Sequence, residues 1–88
     1  MNSVVRAALV QAEWTGDKES MVEKNIGYAR DAAEQGAQVL CFQEIFNTSY
    51  FCNVQDPKYY DEAEEIPSGP TVQKMISLAK ETGMVLVI

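Results

Sequence analysis

The chain reads as an α/β fold, ordered strand, helix, strand, helix, strand. Three observations predict it. Val4 to Gln11, Gln38 to Phe42 and Met84 to Ile88 are short apolar segments, and near-continuous apolar runs of this length mark parallel strands buried on both faces. Two longer segments between them carry apolar residues at helical spacing. Alternation of this kind builds strand-helix-strand units, whose crossovers are right-handed within one sheet.

The first strand, Val4 to Gln11, passes through the loop Glu13 to Gly16 into a helix over Asp17 to Gln35. Asp17 suits the N-cap, and Ser20 with Glu23 offers an alternative capping box. Val22, Ile26, Ala29 and Ala33 form one apolar stripe, with Asn25 on its edge, where a hydrogen bond to a loop is within reach. Gly36 can take the positive φ that closes a helix. The second strand is Gln38 to Phe42. Asn47 to Pro70 is a long connection, and connections of that length carry function or structure of their own. A short helical stretch is expected near Pro57 to Glu64.

Pro70 suits the first position of the second long helix. Val72, Met75, Ile76 and Ala79 make its stripe, and Gly83 ends it. The third strand, Met84 to Ile88, has no turn after it. A three-stranded parallel sheet alone would leave apolar surface and edges open, which predicts the N-terminal third or so of a larger α/β domain.

Composition narrows the function. The chain has 88 residues, 47% of them hydrophobic, and a net charge of −6. An acidic balance argues against nucleic-acid binding, which needs a basic footprint. Histidine is absent from the sequence, so Ser-His and Cys-His pairs and histidine metal sites are excluded from this segment. The two cysteines, Cys41 and Cys52, match no zinc pattern and make no disulfide framework. No apolar run approaches the ~18 residues of a membrane span. Met1 to Arg6 lacks the pattern of a secretion leader, so the cytoplasm is the expected compartment.

Glu44 carries most of the chemical information. Val39-Leu40-Cys41-Phe42 breaks into Gln43-Glu44 and then an aromatic loop from Phe46 to Phe51. Open α/β sheets present catalytic groups at the C-terminal ends of their strands. The bland alternative is a solvated or salt-bridged carboxylate. By strand alternation Glu44 shares a face with Leu40 and Phe42, while Cys41 lies on the other with Val39 and Gln43. Cys41 then reads as a small buried hydrophobe. Cys52 lacks a cationic neighbour to lower its pKa, which leaves pocket lining or packing. Tyr50 and Phe51 either shape a substrate pocket or anchor the loop. Lys58, Lys74 and Lys80 read as surface charges, and Asp61 to Glu65 as a solvated acidic face that could alternatively draw a cationic substrate.

The run Ala32-Ala33-Glu34-Gln35-Gly36-Ala37-Gln38-Val39-Leu40-Cys41-Phe42-Gln43-Glu44, with the opening Ala7-Ala8-Leu9-Val10-Gln11, resembles the start of the nitrilase (carbon-nitrogen hydrolase) superfamily. Phe51-Cys52 and Ile66-Pro67-Ser68-Gly69-Pro70-Thr71 are similar to the N-carbamoyl amide hydrolases, the β-ureidopropionase group first and the N-carbamoylputrescine amidases next. The resemblance covers essentially the whole chain. It implies that residues 1–88 are an N-terminal fragment of one carbon-nitrogen hydrolase domain, the β-α-β-α-β portion of an α-β-β-α sandwich. It further implies a homo-oligomer, no metal and no organic cofactor.

The resemblance implies a Glu-Lys-Cys mechanism acting on a small N-carbamoyl substrate, N-carbamoyl-β-alanine before N-carbamoylputrescine. Glu44 matches the family's glutamate, the general base that takes the thiol proton and later activates water. Tyr50 and Phe51 are the substrate-binding candidates. The lysine that stabilises the oxyanion and the nucleophilic cysteine come later than residue 88 in the family. A chain that ended at Ile88 would be an inactive piece, and the competing reading is a non-catalytic remnant that associates with a full-length relative.

Overall fold

The computed structural model describes residues 4–88. The expectation of no secretion leader rests on Met1 to Arg6, of which Met1 to Ser3 lie outside the described residues. Five main elements follow in order: β1 (Ala7–Leu9), α1 (Lys18–Glu34), β2 (Val39–Cys41), α2 (Pro70–Thr82) and β3 (Val85–Val87). A 3-10 helix, Pro57–Glu62, lies in the long connection, inside the stretch expected to be helical. The strands form one parallel sheet in the order β1-β2-β3. Each strand is shorter than its apolar run, because a ladder pairs only the residues that have a partner opposite. Leu40 of the central strand faces Ala8 on one side and Leu86 on the other.

Asp17 caps α1, its Oδ1 accepting from the Ser20 amide at 2.8 Å. Ser20 does not start the helix as an alternative cap. Its hydroxyl bonds to Asp17 Oδ2 instead. Gly36 and Gly83 close the two helices at φ 88 and 71, where a β-carbon would be strained.

One face of the sheet is covered and the other is bare. Val10, Leu40, Phe42 and Met84 pack under Val22, Ile26 and Ala29 of α1 and under Met75 and Leu78 of α2. On the opposite face Leu9 is 86% exposed, Val85 62% and Val87 48%. Burial of the strands on both faces is therefore not what this chain provides. The reason is topological: both crossovers step the same way across the sheet, and a common hand puts both helices on one side. Cys41 is half-buried on the bare side rather than enclosed in the core.

The buried stripe of α2 is Thr71, Met75 and Leu78, with Ile76 exposed. This shifts the expected stripe of Val72, Met75, Ile76 and Ala79. Thr71 turns inward because its hydroxyl and amide are both satisfied by Glu64, a polar anchor that an apolar count passes over. On the outside Arg30 makes a bidentate pair with Glu81, and Lys74 reaches Glu23. These pairs link the two helices across their exposed faces.

Candidate active site

The candidate site is the turn that follows the central strand. The ladder continues to Phe42, whose amide donates to the Val87 carbonyl at 3.0 Å. Beyond it the chain turns sharply, with Ile45 in the left-handed region at φ 52. A β-branched residue is strained there, and such strain persists only where the surroundings enforce it.

Three contacts enforce it. The rings of Phe42 and Phe46, both buried, stack at 4.9 Å between centroids and so close the turn at its base. Gln43 Oε1 accepts from the Ala12 amide at 2.9 Å, tying the turn to the loop after β1. Asn25, fully buried on α1, donates through Nδ2 to the Phe46 carbonyl at 3.3 Å and to the Met21 carbonyl at 2.9 Å.

Glu44 sits at the exposed crest of this turn. Strand alternation would have put it on the buried face with Leu40 and Phe42. The alternation ends where the backbone leaves the extended region, so Glu44 points away from the core while its neighbours are anchored. It thus stands at the C-terminal edge of the central parallel strand, the position at which open α/β sheets present reactive groups.

A cleft of about 700 Å³ opens beside the turn. Ile45, Phe51, Val54, Tyr59 and Tyr60 give it an apolar wall, and Asp56 and Glu62 stand among its lining residues. Phe51 stacks on Tyr59 at 5.3 Å between centroids, which fixes the loop against the 3-10 helix. Phe51 is therefore both a cleft residue and a loop anchor. Tyr50 is 70% exposed and stands outside the cleft. Cys52 is exposed and neither packs nor lines the cleft. Lys58 is a surface charge, 5.1 Å above the Tyr59 ring.

The acidic run is not uniformly solvated. The Glu64 side chain is only 12% exposed, forms an ion pair with Lys18, and accepts from the Thr71 amide and hydroxyl at 2.7 and 2.6 Å. Lys18 also donates to the Glu62 carbonyl at 2.9 Å. Burial works to raise the Glu64 carboxyl, but the hydrogen bonds from Lys18 and Thr71 and the Lys18 charge prevail and hold it below its usual range. This cluster joins the start of α1, the end of the 3-10 helix and the start of α2. Neither the cluster nor the cleft residues Ile45, Val54 and Tyr59 stand out in the sequence. Contacts between distant segments leave no periodic trace, although the density of aromatics from Phe46 to Tyr60 is a signal of a built loop.

Among the described residues, no helix is long and apolar enough to cross a membrane.

Comparison with known proteins agrees with this fold. A sequence model for carbon-nitrogen hydrolases matches residues 6–88. The chain is 34% identical to an N-carbamoylputrescine amidase of Solanum lycopersicum over 97% of its own length. It is 36% identical to the omega-amidase NIT2 of Bos taurus over 93% of its length. It spans 28% of the length of each of these relatives. A carbon-nitrogen hydrolase from Helicobacter pylori G27 has the same fold over this region, with a TM-score of 0.76 at 22% identity, covering 93% of this chain and 28% of that one. The match of the family pattern to nearly every residue, on a fold shared with a solved member, establishes that the chain belongs to the carbon-nitrogen hydrolase family.

Proposed function

We propose that the protein carrying this chain hydrolyses the carbamoyl C–N bond of an N-carbamoyl amine, with Glu44 as its general base. The observation that carries the reading is the setting of Glu44: an exposed carboxylate at the C-terminal edge of the central strand, on a turn whose flanking residues are pinned. A base must be both accessible to its proton and fixed in place.

In this mechanism Glu44 takes the proton of the family's cysteine thiol, which attacks the carbamoyl carbon. Glu44 then activates the water that releases the acyl group. One water is consumed, and ammonia, carbon dioxide and the free amine are the products. Phe51, Ile45 and Tyr59 form the apolar wall against which the substrate's aliphatic part lies, and Tyr50 is a second candidate contact from the same loop. N-carbamoylputrescine takes precedence over N-carbamoyl-β-alanine as substrate. Relatives bear the former name, and Asp56 and Glu62 in the cleft suit an ammonium end better than a carboxylate. The free thiols of Cys41 and Cys52 suit a reducing compartment, and we assign the protein to the cytoplasm as a homo-oligomer.

The test is ammonia release by the full-length protein from N-carbamoylputrescine, N-carbamoyl-β-alanine and a free ω-amide, with Glu44→Gln alongside. Glu44→Gln is expected to lower kcat by about 100-fold or more, the scale of general-base catalysis, without loss of fold. A Glu44→Gln protein with the parent rate would overturn the base assignment. Turnover of the ω-amide alone would move the substrate class to that of the omega-amidase relative. Turnover of none of the three would favour the non-catalytic association reading.

A further inference from the structure

We infer that Asn25 is the positioning residue for Glu44, acting from α1 through the Phe46 carbonyl; this rests on Glu44 being the base. Asn25 is fully buried beside Met21, Val22 and Ile26. Its Nδ2 donates to Met21 and Phe46, while its Oδ1 has no partner among the described residues. An unpaired buried carbonyl is destabilising. Leucine has a similar volume and would fill the site without that penalty, so packing alone does not account for an amide here. What the amide adds is a donor, held on a rigid helix and aimed out of it at the backbone of the turn.

The place where that donor lands is informative. Phe46 follows Ile45, and Ile45 holds the left-handed conformation that a β-branched residue disfavours. On the near side the turn is secured by the ladder bond of Phe42 and by Gln43 on Ala12. On the far side Asn25 grips the backbone directly through the Phe46 carbonyl, while, one residue on, Asn47 Nδ2 donates from its side chain to Thr71 Oγ1 at 3.3 Å. Without the Asn25 bond, Ile45 can relax to negative φ, the Ile45–Phe46 peptide plane rotates, and the Cα–Cβ direction of Glu44 rotates with it. Small displacements of a base are enough to lower a rate by ~100-fold, because reactivity depends on near-attack geometry. Asn25 touches no reacting atom in this scheme. Its effect passes entirely through Glu44.

The experiment uses the full-length protein and four forms: parent, Asn25→Leu, Glu44→Gln and the double variant, each assayed for kcat, KM and thermal melting. Asn25→Leu is expected to lower kcat by about 10- to 100-fold, with KM within about threefold and a melting point at or near the parent value. In the Glu44→Gln background it is expected to change kcat by less than about twofold, since a positioning residue has nothing left to position. An equal drop in both backgrounds, or an unchanged kcat in Asn25→Leu, overturns the inference. If Asn25→Leu fails to fold, Asn25→Ser, whose hydroxyl is too short to reach Phe46, is put through the same cycle with the same outcomes. A Glu44→Gln protein with the parent rate removes the base assignment itself, and with it this inference, a result distinguishable from additivity on an active Glu44 background.

Discussion

Asn25 Nδ2 lies 3.3 Å from the carbonyl oxygen of Phe46, so the first helix holds the far side of the turn that bears Glu44. The bond joins the core of the fold to its exposed carboxylate. Asn25→Asp keeps the shape but turns the donor into an acceptor that faces another oxygen. Full burial raises the carboxyl's folded-state pKa above its unfolded value of about 3.9. The variant is then penalised when ionised: its stability falls as pH rises through that unfolded value and recovers in acid. Urea unfolding is expected to show a deficit of about 3 kcal/mol or more at pH 7, the scale of an uncompensated buried charge, and a smaller one at pH 4. An identical deficit at both pH values would mean that the carboxyl reaches water.

Glu64 has the opposite sign. Burial raises its carboxyl, but Lys18 and Thr71 outweigh burial and leave the folded-state pKa lowered. Its contribution is present above the unfolded carboxyl pKa of about 4.3 and is lost as pH falls through the lower folded value. Glu64→Gln should cost about 1–3 kcal/mol at pH 7, as for hydrogen bonds to a charged group. It should also flatten the loss of stability below pH 5. Parallel pH profiles for the two proteins would acquit Glu64.

Two glycines are expected to respond in opposite directions. A β-carbon on Gly69 would stand 2.6 Å from the Glu65 carbonyl oxygen and 2.7 Å from Glu64 Cβ. Gly69→Ala must therefore shift backbone at the start of α2 and is expected to cost about 1–3 kcal/mol, as overpacking does. Gly27 lies on the exposed side of α1 with nothing within 4 Å of a built β-carbon. Gly27→Ala should add about 0.5–1 kcal/mol through helix propensity. Chemical denaturation of both single variants checks the pair, and a stabilised Gly69→Ala would contradict the close approach at the helix start.

Ile45→Asn exchanges a strained residue for one that tolerates left-handed backbone. The relief, on the order of 1 kcal/mol, opposes the loss of an apolar cleft residue. The melting temperature is expected to stay within a few degrees of the parent, while KM for an aliphatic N-carbamoyl amine rises. A large drop in melting temperature with unchanged KM would show that Ile45 serves packing rather than the cleft.

The elements and their order were legible because each has a local cause. Asp17, Gly36, Pro70 and Gly83 mark the helix ends through backbone chemistry that a single residue determines. The strands were legible as apolar runs, although pairing trimmed each of them. Glu44 stood out because polarity changes abruptly after Phe42. The orientation of Glu44 did not, since the left-handed step at Ile45 breaks the strand period without any glycine to announce it. The Lys18–Glu64–Thr71 cluster was equally silent, because its members are joined by tertiary contact alone. For Asn25, position on the stripe edge indicated a loop contact, and the structure supplies the partner.

The strands of the sheet lie side by side in the order in which they are made. Each new strand docks beside the one just completed, so assembly can follow synthesis without waiting for a distant partner. The groups that grip the Glu44 turn, apart from the Val87 carbonyl, are Ala12, Asn25, Phe42, Gln43 and Phe46. All of them precede Phe51, the first residue of the aromatic cleft wall, in the chain. The carboxylate's cradle thus draws nothing from the aromatic wall, so changes in Phe51 or Tyr59 can reshape the cleft and leave the grip on the turn in place.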